Sequence, residues 1–380
     1  MFLLPLSRRV SRPLNSIASQ YISNTTTSPF PTTSSCPSPP CQCSETPEMP
    51  EGFPIDYSKP LNGTMAAYAE QIVICTGRDD WDSRIERENE GDNLAADLKA
   101  LVGPKGPYHD PYNPISILNS SFPKKLPSTK ELYTSTYLLP SFKYVPFVLR
   151  NIVSKPTVGD PEICPVPEVT LKALATQYLL PKGQPSRDTE VSSEQKPDTL
   201  QDDRSVTNSD AYFAEANDVK HILVLVCGHG GRDIRCGILG PLLRNEFSKV
   251  LEANGIRVPT TPPSMQLDND RDPRKYQEFS KEQLPAIIGE EDNDVIKTAR
   301  VGLISHIGGH KFAGNIIVYI PPGMKKAGGE DHELAGCGIW YGRVEPKHVD
   351  GIVKETVLGG RVIQDMFRGG IRKSGEILRI

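Results

Sequence analysis

Residues 220–236 read KHILVLVCGHGGRDIRC, and this stretch decides the fold class. Residues 220–226 are rich in Val, Ile and Leu and predict a buried strand. Residues 227–233 form a glycine-rich loop. A helix is expected over 238–254, because Leu242, Leu243, Phe247, Val250 and Leu251 fall on one face, and Gly255 is a good stop. Downstream, the polar and charged stretch 258–298 reads as an inserted loop with one short helix. Residues 301–305 are a strand, 306–314 a second glycine-rich loop, 315–320 and 338–344 strands. Residues 346–357 read as a helix with Pro346 in its first turn. Strand, helix, strand, strand, helix is an α/β order compatible with a thioredoxin-like sheet. Fold order alone carries no function.

Upstream, residues 71–75 (QIVIC) predict a short buried strand and 76–80 a turn. Residues 81–101 read as a charged helix, of which 92–101 (DNLAADLKAL) has helical spacing before Gly103-Pro104 ends it. Strands are expected near 112–118 and 135–139. The chain therefore divides into a first α/β lobe at 61–182, a flexible linker at 183–218, a second lobe at 219–358 and a tail at 359–380. The linker assignment rests on a stretch almost free of large apolar residues. A weak internal echo joins the lobes: IVICTGRD at 72–79 resembles LVCGHGGRD at 225–233, each ending a strand on Cys and turning into Arg-Asp. Only the second has another Cys nine residues on; the first has Arg84 there.

The whole chain has 380 residues, enough for two lobes with cores of their own. A net charge of −4 offers no general basic field for nucleic acid or an anionic membrane. The longest apolar runs are too short to span a bilayer. Residues 1–44 carry Arg8, Arg9 and Arg12, many Ser and Thr, and no acidic residue before Glu45. That is the composition of a mitochondrial transit peptide, expected over 1–35 with cleavage between Leu14 and Ser35. Residues 36–60 are a Cys- and Pro-rich lead-in.

Eight cysteines are too few for a disulfide-dense secreted scaffold. Two of them form a pattern. Cys227 ends a strand and Cys236 opens a helix, with glycines between that let backbone fold closely around an object. His306 and His310 lie in SHIGGHKF at 305–312, on the other glycine-rich loop that follows a strand. Strand ends of an α/β sheet are where ligands usually sit, so the four side chains are a candidate metal site. From the pattern alone they fit a [2Fe–2S] cluster, a Cys₂His₂ zinc, a redox dithiol, or unrelated core residues. Cys227-Gly-His229 imitates one Rieske box, but Leu239 stands where the second box needs histidine, so His229 is assigned a supporting role. Cys36, Cys41 and Cys43 are a further candidate set of redox thiols. Cys75 and Cys337 read as packed thiols, and His332 and His348 as solvent-facing.

The Cys227-x₈-Cys236 spacing, the Gly-Gly-His310 loop and Trp340-Tyr341-Gly342-Arg343-Val344 together resemble the sucrase/ferredoxin-like family, also called thioredoxin-like ferredoxins. Cys36-Pro, Cys41-Gln-Cys43, the run 61–70 and Cys75 through Trp81 resemble its fungal mitochondrial branch, so the similarity covers about 36–358. The resemblance implies a thioredoxin-like ferredoxin lobe preceded by a related or degenerate α/β lobe. It implies that Cys227, Cys236, His306 and His310 ligate a [2Fe–2S] cluster, in a mitochondrial protein acting in electron transfer or thiol redox homeostasis. The expected partner is a mitochondrial redox protein, and no classical enzyme activity is implied. Sucrose cleavage would need a positioned carboxylate pair, which the sequence does not offer. Histidine ligation further implies a potential that falls as pH rises. A structural zinc protein that binds a partner is the alternative.

Overall fold

The computed structural model describes residues 28–39, 43–124, 133–149, 169–181, 216–263 and 297–380. Cys41, Cys164, residues 1–27, most of the predicted linker and most of the predicted insertion lie outside the described residues. Along the chain, β1 (Thr32–Thr33) precedes β2 (Glu70–Cys75), α1 (Leu94–Val102), β3 (Ile115–Ser120), β4 (Tyr133–Leu139), β5 (Lys143–Leu149) and β6 (Val169–Thr170). The helix α2 (Leu171–Leu174) continues as a π turn through Ala175–Leu179. Then come β7 (Asn217–Asp218), β8 (Ile222–Cys227), α3 (Ile234–Ala253), β9 (Ala299–Ile304), β10 (Ile316–Ile320) and β11 (Cys337–Tyr341). The helix α4 (Pro346–Ile352) runs on through Val353–Leu358, and β12 (Val362–Ile363), β13 (Phe367–Arg372) and β14 (Ile377–Leu378) close the chain.

The two lobes repeat one plan. In the second, β8 pairs parallel with β9 on one side and antiparallel with β10 on the other, and β11 adds antiparallel to β10. In the first, β2 pairs parallel with β3 and antiparallel with β4, and β5 adds antiparallel to β4. Both follow the thioredoxin-like order, and the echo between 72–79 and 225–233 marks the same strand end in each. The lobes are joined edge to edge through β3 and β9, making one twelve-stranded mixed sheet. At this seam Ser120 pairs with Ile304, Ser305 N–H donates to Asn119 O at 2.9 Å, and Asn119 N–H donates to Ser305 Oγ at 3.0 Å.

Strand alternation explains the cores. Ile222, Val224 and Val226 of β8 face α3 and α4, with Leu243, Phe247 and Leu251 packed on them. Each such side chain is worth about 1.5–3 kcal/mol of burial. Leu223, Leu225 and Cys227 point to the opposite face, where they join Val73 and Cys75 of β2 in a core common to both lobes. That face curls inward, so that Phe142 of the first lobe meets Tyr319 of the second edge-on at 5.9 Å.

Three expectations are corrected. The helix over 81–101 begins only at Leu94, capped by Asn93. Before it, Ile85–Gly91 makes tight turns with Asn89 and Glu90 at positive φ. The buried Glu88 carboxylate, which accepts from Arg78 and from Asp82 N–H, holds the chain off the helical path. Residues 359–380 are no tail: β13 pairs with β11 and β14 with β13, and Phe367 and Ile371 are fully buried. Residues 28–35, inside the predicted transit peptide, are folded. There β1 pairs with β12, and Phe30 packs on Phe367 at 5.7 Å.

Among the described residues no helix is long and apolar enough to cross a membrane.

Candidate metal centre

Sheet order delivers the four predicted ligands to one place. Because β9 and β10 flank β8 on opposite sides, the chain leaving β9 must cross the end of β8 to enter β10. Residues 305–315 make that crossing and carry both histidines. Cys227, the last residue of β8, sits beneath the arch: its N–H donates to Asn315 O at 2.9 Å, and Gly228 N–H donates to Ile304 O at 3.1 Å. Cys236 comes back on the first turn of α3, where Asp233 caps the helix by accepting from Arg235 N–H. The glycines of this region serve approach. A Cβ on Gly240 would lie 2.4 Å from Gly228 Cα, so only glycine lets the helix close on the strand end.

Both cysteines are buried. The Cys227 thiol lies within hydrogen-bonding reach of Cys236 and of the His306 ring, and these neighbours lower its pKa well below the ordinary thiol value against the opposing effect of burial. Cys236 keeps its proton: its pKa is raised by that same contact with Cys227 and by burial. The two thiols therefore titrate as a pair, the first proton leaving more readily than the second. The His306 and His310 rings lie 5.1 Å apart, tilted by 34°. Each ring is half-buried, yet its Nδ1 is buried with no hydrogen-bond partner. Burial also lowers the His310 pKa, favouring the neutral ring. Two imidazoles with orphaned ring nitrogens beside a pair of buried cysteines fit the donor set of a mixed-ligand cluster.

The surroundings brace these groups. His229 Nδ1 accepts from His306 N–H at 3.1 Å, and its Nε2 faces Trp81 O and Asp82 O at 3.1 and 2.9 Å, so it links the two ligand loops to the first lobe as a support. Asp80 accepts from Gly231 N–H through both carboxylate oxygens. Arg235 pairs with Asp233 and donates to Pro54 O at 2.8 Å, which straps the lead-in across the helix start. Arg368 was hidden in the supposed tail. It is buried on β13, donates to Gly308 O of the histidine arch at 3.2 Å, and has both cysteines as electrostatic neighbours. Burial lowers its pKa to about 10, which still leaves it charged at neutral pH. Apolar residues recur at Val362, Ile363, Met366, Phe367 and Ile371, which signals a packed segment rather than a tail but has no period-two alternation to mark a strand.

The other predicted residues lie elsewhere. Cys36 rests against Gly351 of α4, where burial and nearby carboxylates raise its pKa to about 12. Cys43 is half-buried. Cys75 and Cys337 are buried, as expected. His332 and His348 are not solvent-facing. His332 is buried with Nε2 on Val357 O at 3.0 Å, and His348 accepts from Glu345 N–H in the capping box of α4. Among the described residues no group of three or more His, Cys, Asp or Glu side chains is gathered as for a single metal ion.

Residues 61–369 match the sucrase/ferredoxin-like family. "Altered inheritance of mitochondria protein 32" of Debaryomyces hansenii is 29% identical over 340 residues, covering 87% of this chain and 93% of that protein. The protein of the same name from Meyerozyma guilliermondii is 27% identical over 346 residues, covering 88% and 94%. That from Clavispora lusitaniae is 36% identical over a shorter stretch of 147 residues, 39% of this chain and 34% of its own. No solved structure matches.

Proposed function

We propose, from the premise that this chain belongs to the sucrase/ferredoxin-like family, that its second lobe binds a [2Fe–2S] cluster through Cys227, Cys236, His306 and His310. In this reading the protein works as a one-electron carrier or redox sensor in mitochondria. The observation that carries it is the pair of buried, partnerless Nδ1 atoms beside the two buried cysteines. A bound cluster would supply a one-electron couple, raised by neutral imidazole ligands relative to an all-thiolate set. The chain's own groups do the rest. Cys227 and Cys236 hold the buried end and exclude water. His229 and Asp80 orient the two loops. The half-exposed rings of His306 and His310 form the edge that a redox partner can approach. The mitochondrial setting is supported by the names of the relatives and by the arginine-rich, acid-free start of the sequence.

Electron transfer is favoured over thiol chemistry by the surroundings of Cys36, whose raised pKa leaves little thiolate for attack. Anaerobically purified protein should contain iron and acid-labile sulfide in equal amounts. It should show a charge-transfer absorption that bleaches with dithionite and an EPR signal that appears on reduction. Zinc in place of iron, with no sulfide, would overturn the proposal in favour of a structural metal.

A further inference from the structure

We infer that Arg368 is the counter-charge of this metal site and sets its potential while clamping the histidine arch. The inference rests on the [2Fe–2S] reading above and adds a residue outside the ligand set.

Arg368 is 1% exposed. Its Nε donates to Thr64 Oγ1 at 3.0 Å and its Nη2 to Thr64 O at 2.8 Å. Its Nη1 donates to Gly308 O at 3.2 Å and Asn315 Oδ1 at 2.7 Å. Every one of these acceptors is neutral. Among the described residues no carboxylate pairs with it; its guanidinium lies instead 5.8 Å from the Phe312 ring centroid and 5.6 Å from that of Trp340. A buried, unpaired cation is costly. It suits a place where an anion is to come, and the anionic groups that act on it are Cys227 and Cys236.

The charge count gives the direction. Two ferric ions, two sulfides, two thiolates and two neutral imidazoles sum to zero, so Arg368 faces a neutral core in the oxidised state. Adding one electron gives that core its first net negative charge, beside a guanidinium already desolvated and fixed. Arg368 therefore favours the reduced form and raises the potential. The clamp is visible in the same contacts. Asn315 Nδ2 donates to Gly309 O at 2.9 Å, and a Cβ on Gly309 would lie 2.6 Å from Arg368 Nη2, so the arch rests on the guanidinium.

The test is a redox titration of Arg368→Gln, Arg368→Lys and Asn315→Asp beside the parent protein, with iron, sulfide and EPR spectra measured on each. Arg368→Gln should lower the reduced-to-oxidised ratio at fixed potential at least tenfold, equivalent to about 59 mV for one electron. Arg368→Lys should recover most of that shift. Asn315→Asp leaves the arginine in place and neutralises it, and should shift the ratio in the same direction as Arg368→Gln. This holds the inference testable even where loss of the arginine prevents folding. Clusters retained at an unchanged potential in Asn315→Asp and Arg368→Gln, or equal shifts in Arg368→Lys and Arg368→Gln, would overturn the counter-charge role. A parent protein without iron and sulfide would instead overturn the cluster reading itself.

Discussion

In the proposed site His306 and His310 would serve as neutral donors, and replacing either by cysteine would exchange a neutral ligand for an anionic one. His306→Cys or His310→Cys should keep a cluster and lower its midpoint potential. An unchanged spectrum and potential in both variants would show that the imidazoles are not ligands. These two residues and the two cysteines were legible in the sequence, because both pairs sit on glycine-rich loops that directly follow buried strands. Why they meet was not legible. It depends on β10 lying across β8 from β9, which forces the arch over Cys227. Arg368 was missed for another reason. Gly369 and Gly370 interrupt the strand pattern beside it, and its chemistry appears only once β13 is seen to lie against β11. His332 was misjudged because a buried imidazole that bonds a carbonyl leaves no trace in spacing.

Among the elements, β2 starts with an unusual residue. Glu70 is buried, and burial raises its pKa from 4.5 to about 7, although hydrogen bonds from Ser141 Oγ at 2.6 Å and Ser141 N–H at 3.3 Å oppose the rise. The folded state therefore holds a proton that the unfolded chain has lost between those two values. The stabilisation is complete below about pH 4.5 and is lost as pH rises through about 7, with a limiting slope of about 1.4 kcal/mol per pH unit. Urea unfolding across this window should show the stability of the parent falling relative to that of Glu70→Gln as pH rises, with that slope. Parallel curves would mean that Glu70 does not titrate there. Strands such as ILVLVC and IIVYI agree with the sequence reading to within two residues, since such runs have one interpretation between turns, whereas β5 and the C-terminal strands β12, β13 and β14 were not foreseen. The helix over 81–101 was over-read: its charges suit a solvated helix, but Glu88 turns inward to receive Arg78 and reaches Asn119 Nδ2 at 3.3 Å.

For the whole molecule, the shared sheet and shared core predict one cooperative unfolding event, even though the plan repeats. The two buried tryptophans sit where the lobes meet: Trp81 comes from the first lobe's sequence but packs into the core of the second, and Trp340 lies in the core common to both. Trp81→Phe and Trp340→Phe each leave a single reporter, and their denaturant midpoints, corrected for the cost of each change, should coincide. Two separated transitions would show lobes that fold independently. The internal echo at 72–79 and 225–233 hinted at this repetition, but eight residues cannot say that two halves fuse edge to edge. The narrow seam has a consequence for the ligands. Ser305 is gripped on both sides by Asn119, and the next residue is His306. Mechanical load applied anywhere on the leading half, by a binding protein or by thermal bending at the joint, reaches an imidazole after a single peptide unit. In the proposed cluster protein, the domain without the inorganic chemistry is thereby the lever arm of the domain that would carry it.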